Sequence, residues 1–121
     1  KKFSGKIALG LDARGANVAT EGWTKDGSQS VLEFAKKASQ LPLAAIIYTD
    51  IAKDGMMAGP NFERTKTLAD TVKIPVIASG GVTTLDDVAK LKKLGGIEAA
   101  IVGRAIYEGK ISLKEAIKIA V

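Results

Sequence analysis

The stretch Ala45–Asn61, AIIYTDIAKDGMMAGPN, shows a pattern that recurs along the rest of the chain. Its first four residues, Ala45–Tyr48, form an apolar run that is too short for a helix and rich in β-branched and aromatic side chains, which predicts a buried strand. A polar loop with glycine and proline follows, and then a charged amphipathic segment. A strand that leads through a polar loop into a helix is a βα unit, and ligands bind at such junctions in α/β folds.

Four βα units are predicted along the chain. The predicted strands are Ile7–Leu11, Ala45–Tyr48, Pro75–Ala78 and Ala99–Val102, and the predicted helices are Ser28–Ser39, Phe62–Val72, Leu85–Leu94 and Leu113–Val121. Ser28 or Ser30, Asn61, and Thr83 or Thr84 are the predicted helix caps. The polar segment 12–27 is predicted to be a long loop, and a short turn is expected around Ile106–Gly109.

This alternation indicates an α/β protein with a parallel sheet and right-handed crossovers, forming one (βα)4 domain over residues 1–121. A closed (βα)8 barrel needs at least about 200 residues. Four strands therefore form either an open sheet or part of a barrel that needs a partner.

Composition narrows the possible chemistry. The 121 residues carry a net charge of +5 and include no cysteine and no histidine, so thiolate chemistry and a Ser-His-Asp triad are excluded. The lysines are scattered over helical segments and only 5% of residues are aromatic, which favours solvated helix faces over a nucleic-acid surface. No apolar run approaches the roughly 18 residues of a membrane span, and no signal-peptide pattern opens the chain, so a cytoplasmic location without membrane contact is expected.

Asp12 follows the first predicted strand and shares a face with Ala8 and Gly10. A carboxylate at the mouth of a parallel sheet can transfer protons, but a loop aspartate that caps a turn beside Gly15 explains the residue equally well.

Thr49, Asp50 and Asp54 follow the second predicted strand. They are candidates for binding sugar hydroxyls or relaying a proton, although Lys53-Asp54-Gly55 is also a good turn sequence. The spacing of these carboxylates is not specific for a metal ion, and no metal site is predicted.

Two glycine corners follow the third and fourth predicted strands. Ser79-Gly80-Gly81 and Gly103-Arg104 offer backbone amides and a guanidinium to an anion, as the last two loops of eight-stranded barrels commonly do. Alternatively, the glycines are present only because the turns are tight. Trp23, the single tryptophan, is placed to stack on a flat heterocycle or to anchor its loop.

The motifs LDARG…EGW, YTDIAKDGMMAGPN, IASGGV and IVGRAIYEG resemble the carboxyl-terminal half of the phosphoribosylformimino-5-aminoimidazole carboxamide ribotide isomerase family of histidine biosynthesis. The resemblance covers nearly the whole chain from Gly5. It implies a (βα)8 barrel of which this chain supplies strands five to eight. It also implies an Amadori rearrangement of an aminoaldose to an aminoketose by acid–base catalysis, without a metal or cofactor.

The resemblance assigns roles residue by residue. Asp12 matches the general acid that assists ring opening, and Thr49 and Asp54 match catalytic positions. Arg14 and Trp23 match substrate contacts. The expected site for one phosphate of a bisphosphate substrate, or for free phosphate or sulfate, is Ser79, Gly80, Gly81, Gly103 and Arg104.

Strands one to four of that barrel, with its other catalytic aspartate, lie outside this sequence. The isolated chain is therefore expected to be inactive or nearly so, and to self-associate or to pair with an amino-terminal half-barrel. A non-catalytic, self-associating phosphate-binding half-barrel is the alternative, and a dual isomerase that also accepts a tryptophan-pathway analogue stays open. The sister cyclase of the same pathway is a further alternative, but the EGW loop argues against it.

Overall fold

The computed structural model describes residues 2–14, 17–20, 25–54 and 56–121. Within these ranges the strands are β1 (Ala8–Arg14), β2 (Asn17–Thr20), β3 (Lys25–Ser30), β4 (Ala45–Asp50), β5 (Val76–Ser79) and β6 (Ile97–Ala100). The helices are α1 (Val31–Ala38), α2 (Phe62–Thr71), α3 (Leu85–Leu94), α4 (Arg104–Tyr107) and α5 (Leu113–Ala120). None of these helices has the length and apolar character needed to cross a lipid bilayer.

The described strands form one sheet in the order β3-β2-β1-β4-β5-β6. Strands β1, β4, β5 and β6 form a parallel sheet, in which each strand runs parallel to the next. Leu11 lies opposite Tyr48, and Tyr48 lies opposite Ala78. The α/β class and the four parallel βα units are therefore confirmed. This architecture is consistent with half of a (βα)8 barrel.

The prediction of a long loop over residues 12–27 is wrong for the described part of that segment. Strand β1 runs on to Arg14, and β2 and β3 form an antiparallel hairpin beside it, with Ala13 opposite Val18. Val18 lies against the buried core, which helps to hold the hairpin in place. The sequence of β3, KDGSQS, has low strand propensity, so pairing with β2 decides its conformation.

Several predicted strand ends are also wrong, because a polar side chain does not end a strand. Asp12 lies inside β1, Thr49 and Asp50 lie inside β4, and Ser79 is the last residue of β5. Backbone ladder hydrogen bonds do not depend on side-chain polarity, so these strands continue past their apolar runs. Strand β6 begins earlier than predicted, and the expected turn near residue 106 is the short helix α4.

Side-chain caps fix where the helices begin. Ser30, Asn61 and Thr84 accept hydrogen bonds from backbone amides three residues further on, at 3.0–3.1 Å. Helix α3 has the predicted bounds, and it ends at Gly95, whose φ is +73°. Each cap satisfies an amide that the helix itself leaves unpaired.

The helices cover one face of the sheet. Side chains on that face and on the covering helices form two buried clusters, which include Leu11, Ala13, Ile46, Tyr48, Val76, Leu68, Ala78, Val88 and Leu91. On the opposite face Ala8 and Gly10 are exposed, and Ile47 and Ile77 are half-buried. This second side, which we call the open face, carries the row of polar side chains described next. The predicted alternation along β1, with Asp12 on the face of Gly10, is confirmed.

Candidate functional site

The register of the parallel strands brings three polar side chains into one row. Asp12 pairs with Thr49, and Thr49 pairs with Ser79. Paired residues in neighbouring strands lie about 4.8 Å apart and point to the same face. Leu11 and Ala13 are buried under the helices, so Asp12, between them, points to the open face. The row lies at the carboxyl ends of the strands, which is the end predicted from the sequence.

Beside this row lies a cavity of about 110 Å³, which we call the corner cavity. It lies where the turn after β5 meets the turn after β6. Its lining consists of Asp54, Met57, Ser79, Gly80, Gly81, Val82, Ile101, Gly103 and Arg104. All five residues of the predicted phosphate site thus share one cavity, and Ser79 belongs both to the cavity and to the polar row.

Backbone amides supply the cavity with hydrogen-bond donors. Within the described part of the chain, the amides of Gly80, Gly81 and Gly103 donate no hydrogen bond to a backbone carbonyl. Unpaired amides at the start of a loop that leads into a helix attract anions, and α3 begins four residues after Gly81. The corner cavity therefore suits a phosphate group chemically.

Close packing also requires glycine in the turn after β5. Gly80 and Gly81 have φ values of +95° and +82°. A Cβ atom added at Gly81 would lie 2.5 Å from the Gly59 carbonyl oxygen and 2.9 Å from that of Lys53. The tight-turn explanation and the phosphate explanation are therefore compatible, because the same turn both packs on the preceding loop and leaves its amides unpaired.

Arg104 adds a positive charge to the lining. Its Nε atom lies 3.3 Å from Glu108 Oε1, and both side chains are about half exposed. An exposed ion pair of this kind contributes only about 0–1 kcal/mol, so a bound dianion can compete with Glu108 for the guanidinium.

The residues expected to be catalytic are divided between two places. Asp12 and Thr49 lie in the polar row, whereas Asp54 is an exposed residue of the corner cavity. Thr49 itself is only 8% exposed, and a Cβ atom added at Gly80 would lie 3.4 Å from its methyl group. The turn after β5 thus covers Thr49 and links the two places.

Asp50 is not a ligand-binding residue, which corrects its candidacy. Its side chain is 4% exposed, and its two carboxylate oxygens accept hydrogen bonds from the Ala52 amide at 3.0 Å and the Asn61 side-chain amide at 2.8 Å. Asp50 therefore ties the end of β4 to the N-cap of α2. Burial raises the pKa of the neighbouring Tyr48 to about 12, and the Asp50 charge adds to that rise.

Tyr48 also lines the larger cavity of about 390 Å³, which lies on the helix side near the starts of α1 and α2. This cavity includes none of the residues predicted for the site. Its polar lining includes Arg64 and Glu63, which carry opposite charges.

Of the two predicted substrate contacts, Arg14 lines neither cavity. Arg14 is exposed at the end of β1, opposite Asn17. Trp23 lies outside the described residues. Among the described residues, no group of three or more acidic side chains lies close enough together to hold a metal ion.

Sequence reasoning missed three apolar residues of the corner cavity: Met57, Val82 and Ile101. Met57 has φ +57°, which is uncommon for a residue with a side chain and is found mostly at functional or tightly packed positions. No local signal in the sequence indicates that conformation. Val82 directly follows Gly81, and Ile101 directly follows β6. The two side chains meet at one cavity because β5 and β6 are neighbours in the sheet.

The chain is similar to known proteins over almost its full length. The family described as histidine biosynthesis protein matches residues 1–112. A protein of Picosynechococcus is 53% identical over 119 residues, which cover 97% of this chain and 46% of that protein. Its name is 1-(5-phosphoribosyl)-5-((5-phosphoribosylamino)methylideneamino) imidazole-4-carboxamide isomerase.

Proteins with the same name from Paracoccus denitrificans and Paramagnetospirillum magneticum are 51% and 50% identical over 116 and 117 residues. These matches cover 96% and 97% of this chain and 49% of each relative. The chain thus spans about half the length of the curated relatives it matches. From its sequence and its βα architecture, the chain belongs to the histidine biosynthesis protein family.

Proposed function

We propose that this chain is the carboxyl-terminal half of a sugar-phosphate isomerase site, active once an amino-terminal half-barrel completes it. The observation that carries the proposal is the register that places Asp12, Thr49 and Ser79 in one row beside the corner cavity. A sugar phosphate held at the cavity by its phosphate group would extend along that row. The names of the relatives, all isomerases of a compound with two phosphoribosyl groups, support this substrate class.

In the proposed Amadori rearrangement, the Asp12 carboxyl group donates a proton to the ring oxygen of the aminoaldose. The carbon–oxygen bond breaks, and the lone pair of the amine nitrogen forms a carbon–nitrogen double bond. A base from the missing half then removes the proton at C2, and the resulting enolamine rearranges to the aminoketose. The balance needs no oxidant or reductant, because C2 and its hydroxyl each lose a proton while the ring oxygen and C1 each gain one, so that C2 becomes the carbonyl carbon and C1 carries the amine.

The other residues of the site hold the substrate in this proposal. The Thr49 hydroxyl hydrogen-bonds the opened sugar next to Asp12, and Asp54 accepts a hydrogen bond from a sugar hydroxyl near the phosphate. Gly80, Gly81 and Gly103 bind the phosphate oxygens through their amides, and Arg104 neutralises its charge. Arg14 and Trp23 remain candidates for contacts to the rest of the substrate. A cytoplasmic location also remains a prediction of the sequence.

The test is reconstitution with the amino-terminal half of the Paracoccus denitrificans relative, followed by an isomerase assay. We expect turnover from the complex, none from this chain alone, and a loss of about 10²-fold or more with Asp12→Asn, the usual size of a general-acid effect. Asp70→Asn is the matched control, because Asp70 is exposed on α2, where it pairs with Lys66 at 2.9 Å. A folded complex without activity, or full turnover with Asp12→Asn, would contradict the assignment.

A non-catalytic, self-associating phosphate-binding half-barrel is the second candidate. It is favoured by the open face, where Ala8 and Gly10 are exposed, and by β6, which is the last strand of the described sheet. Unpaired sheet edges and exposed apolar faces promote association. Sedimentation of the isolated chain would then give a dimer or a larger species, and a compact monomer would count against it.

A further inference from the structure

Two loops meet at the corner cavity, and both carry residues of the proposed site. The loop after β4 carries Asp54, and the turn after β5 carries Gly80 and Gly81. The distance between these groups depends on how the loops are held together. Among the described residues, the Thr83 hydroxyl hydrogen-bonds to both loops, and the buried Asp87 carboxylate hydrogen-bonds to the backbone of Thr83. Neither residue belongs to the lining of the cavity.

Thr83 joins the two loops through its hydroxyl. The Thr83 Oγ1 atom donates a hydrogen bond to the Gly81 carbonyl oxygen at 2.7 Å and accepts one from the Gly59 amide at 3.4 Å. Gly59 belongs to the loop after β4, so this one hydroxyl bridges both loops. The contact is tight at the same point, because the Gly59 carbonyl lies against Gly81.

Asp87 in turn fixes the backbone of Thr83. Its side chain is 9% exposed, and its Oδ2 atom accepts hydrogen bonds from the amides of Thr83 at 3.0 Å and Thr84 at 3.1 Å. A Cβ atom added at Gly59 would lie 3.7 Å from Asp87 Oδ1, so the carboxylate lies close to the other loop. Asp86, its neighbour in the first turn of α3, is exposed and pairs with Lys90 instead.

We propose that Thr83 and Asp87 are positioning residues for the phosphate site: they lock the loop after β4 onto the turn after β5 and so set the shape of the corner cavity. The proposal rests on the proposed phosphate binding. Without the Thr83 hydroxyl, the Gly81 carbonyl and the Gly59 amide lose their shared partner, and the loops separate. The glycine amides then no longer converge on one phosphate.

The test compares Thr83→Val with Thr83→Ser in the ¹⁵N-labelled chain. Valine keeps the shape of threonine without its hydroxyl, whereas serine keeps the hydroxyl. Inorganic phosphate is titrated while the amide resonances of Gly81 and Gly103 are followed by NMR. We expect Thr83→Val to weaken phosphate binding about 5- to 10-fold, the loss that follows from one or two hydrogen bonds. Thr83→Ser keeps the hydroxyl, so its phosphate affinity should stay within about 2-fold of that of the parent chain.

Two control variants separate positioning from a general loss of stability. Thr67→Val removes a hydroxyl that donates to the Glu63 carbonyl at 2.9 Å on α2, away from the corner cavity. Asp86→Asn makes the same chemical change as Asp87→Asn, and both residues lie in the first turn of α3. We expect Asp87→Asn to weaken phosphate binding and both controls to leave it unchanged. Equal phosphate affinity in Thr83→Val and the parent chain would overturn the proposal.

A second measurement does not depend on phosphate. Hydrogen exchange at the Gly59 amide should become faster in Thr83→Val, because that amide loses its acceptor, and should return to the parent rate in Thr83→Ser. An unchanged Gly59 exchange rate would show that the loops are not held by Thr83. If exchange responds as expected but the parent chain binds no phosphate, the phosphate site fails and the lock between the loops stands.

Discussion

Replacement of Gly81 by alanine tests whether the two loops at the corner cavity pack as tightly as the structure indicates. Gly81 has φ +82°, and an added Cβ atom would lie 2.5 Å from the Gly59 carbonyl oxygen, 2.9 Å from the Lys53 carbonyl oxygen and 3.0 Å from the Gly59 carbonyl carbon. All three are backbone atoms. Rotation of a flexible side chain therefore cannot relieve the overlap, and one of the loops has to move.

Two costs add at this position. The left-handed backbone conformation costs an alanine about 1–2 kcal/mol relative to glycine. Overpacking against fixed neighbours adds about 1–3 kcal/mol. We therefore expect Gly81→Ala to lower the free energy of unfolding by about 2–5 kcal/mol, as the sum of these two effects.

Gly109→Ala provides the matched control. Gly109 has φ +72°, nearly the same backbone conformation, but an added Cβ atom there meets nothing within 4 Å. This variant should show only the backbone cost of about 1–2 kcal/mol. Urea unfolding followed by circular dichroism gives both free energies, and the difference between them isolates the overlap with the loop. The reasoning is refuted if Gly81→Ala is no less stable than Gly109→Ala.

Three further predictions concern single side chains. Arg104→Ala should weaken phosphate binding about 5- to 10-fold through loss of a charge-assisted hydrogen bond, whereas Lys110→Ala should leave it unchanged. If calorimetry gives Arg104→Ala and the parent chain equal phosphate affinity, Arg104 does not belong to the site. Tyr48→Phe should lose less stability than the parent chain between pH 10 and 12. Because the pKa of Tyr48 is raised to about 12 in the folded chain, the unfolded chain releases this proton at lower pH. Rising pH therefore destabilises the parent chain, by about 2 kcal/mol at most. Parallel profiles of unfolding free energy against pH for the two proteins would contradict this. Thr84→Ala should cost about 1 kcal/mol of unfolding free energy through loss of the α3 capping box, and an unchanged urea midpoint would argue against it.

Local signals in the sequence predicted much of the fold. Helix α3 was predicted with its observed bounds, because a threonine cap and two terminal glycines enclose an amphipathic segment. Both glycine corners directly follow strands, and the sheet order places them beside one cavity. The hairpin of β2 and β3 was not predictable, because KDGSQS is a strand only through its pairing with β2.

The sequence also could not predict that the residues expected to be catalytic lie in two places, the polar row and the corner cavity. The sequence groups Asp54 with Thr49 and Asp50, because all three follow the second predicted strand, and the family resemblance adds Asp12 as a further catalytic position. The position of Asp54 in the corner cavity depends on the path of its loop, which includes the left-handed residue Met57. Asp87 shows the same limit: its position close to Gly59 depends on how two distant loops meet.

The close approach of Gly81 to Gly59 and Lys53 has a consequence for protein engineering. Residues in two separate loops share one small volume, so substitutions there will show epistasis. A side chain at position 81 becomes less costly once the loop at 53–59 is shortened or rerouted. Libraries that vary both loops together will therefore retain more folded variants than libraries that randomise either loop alone.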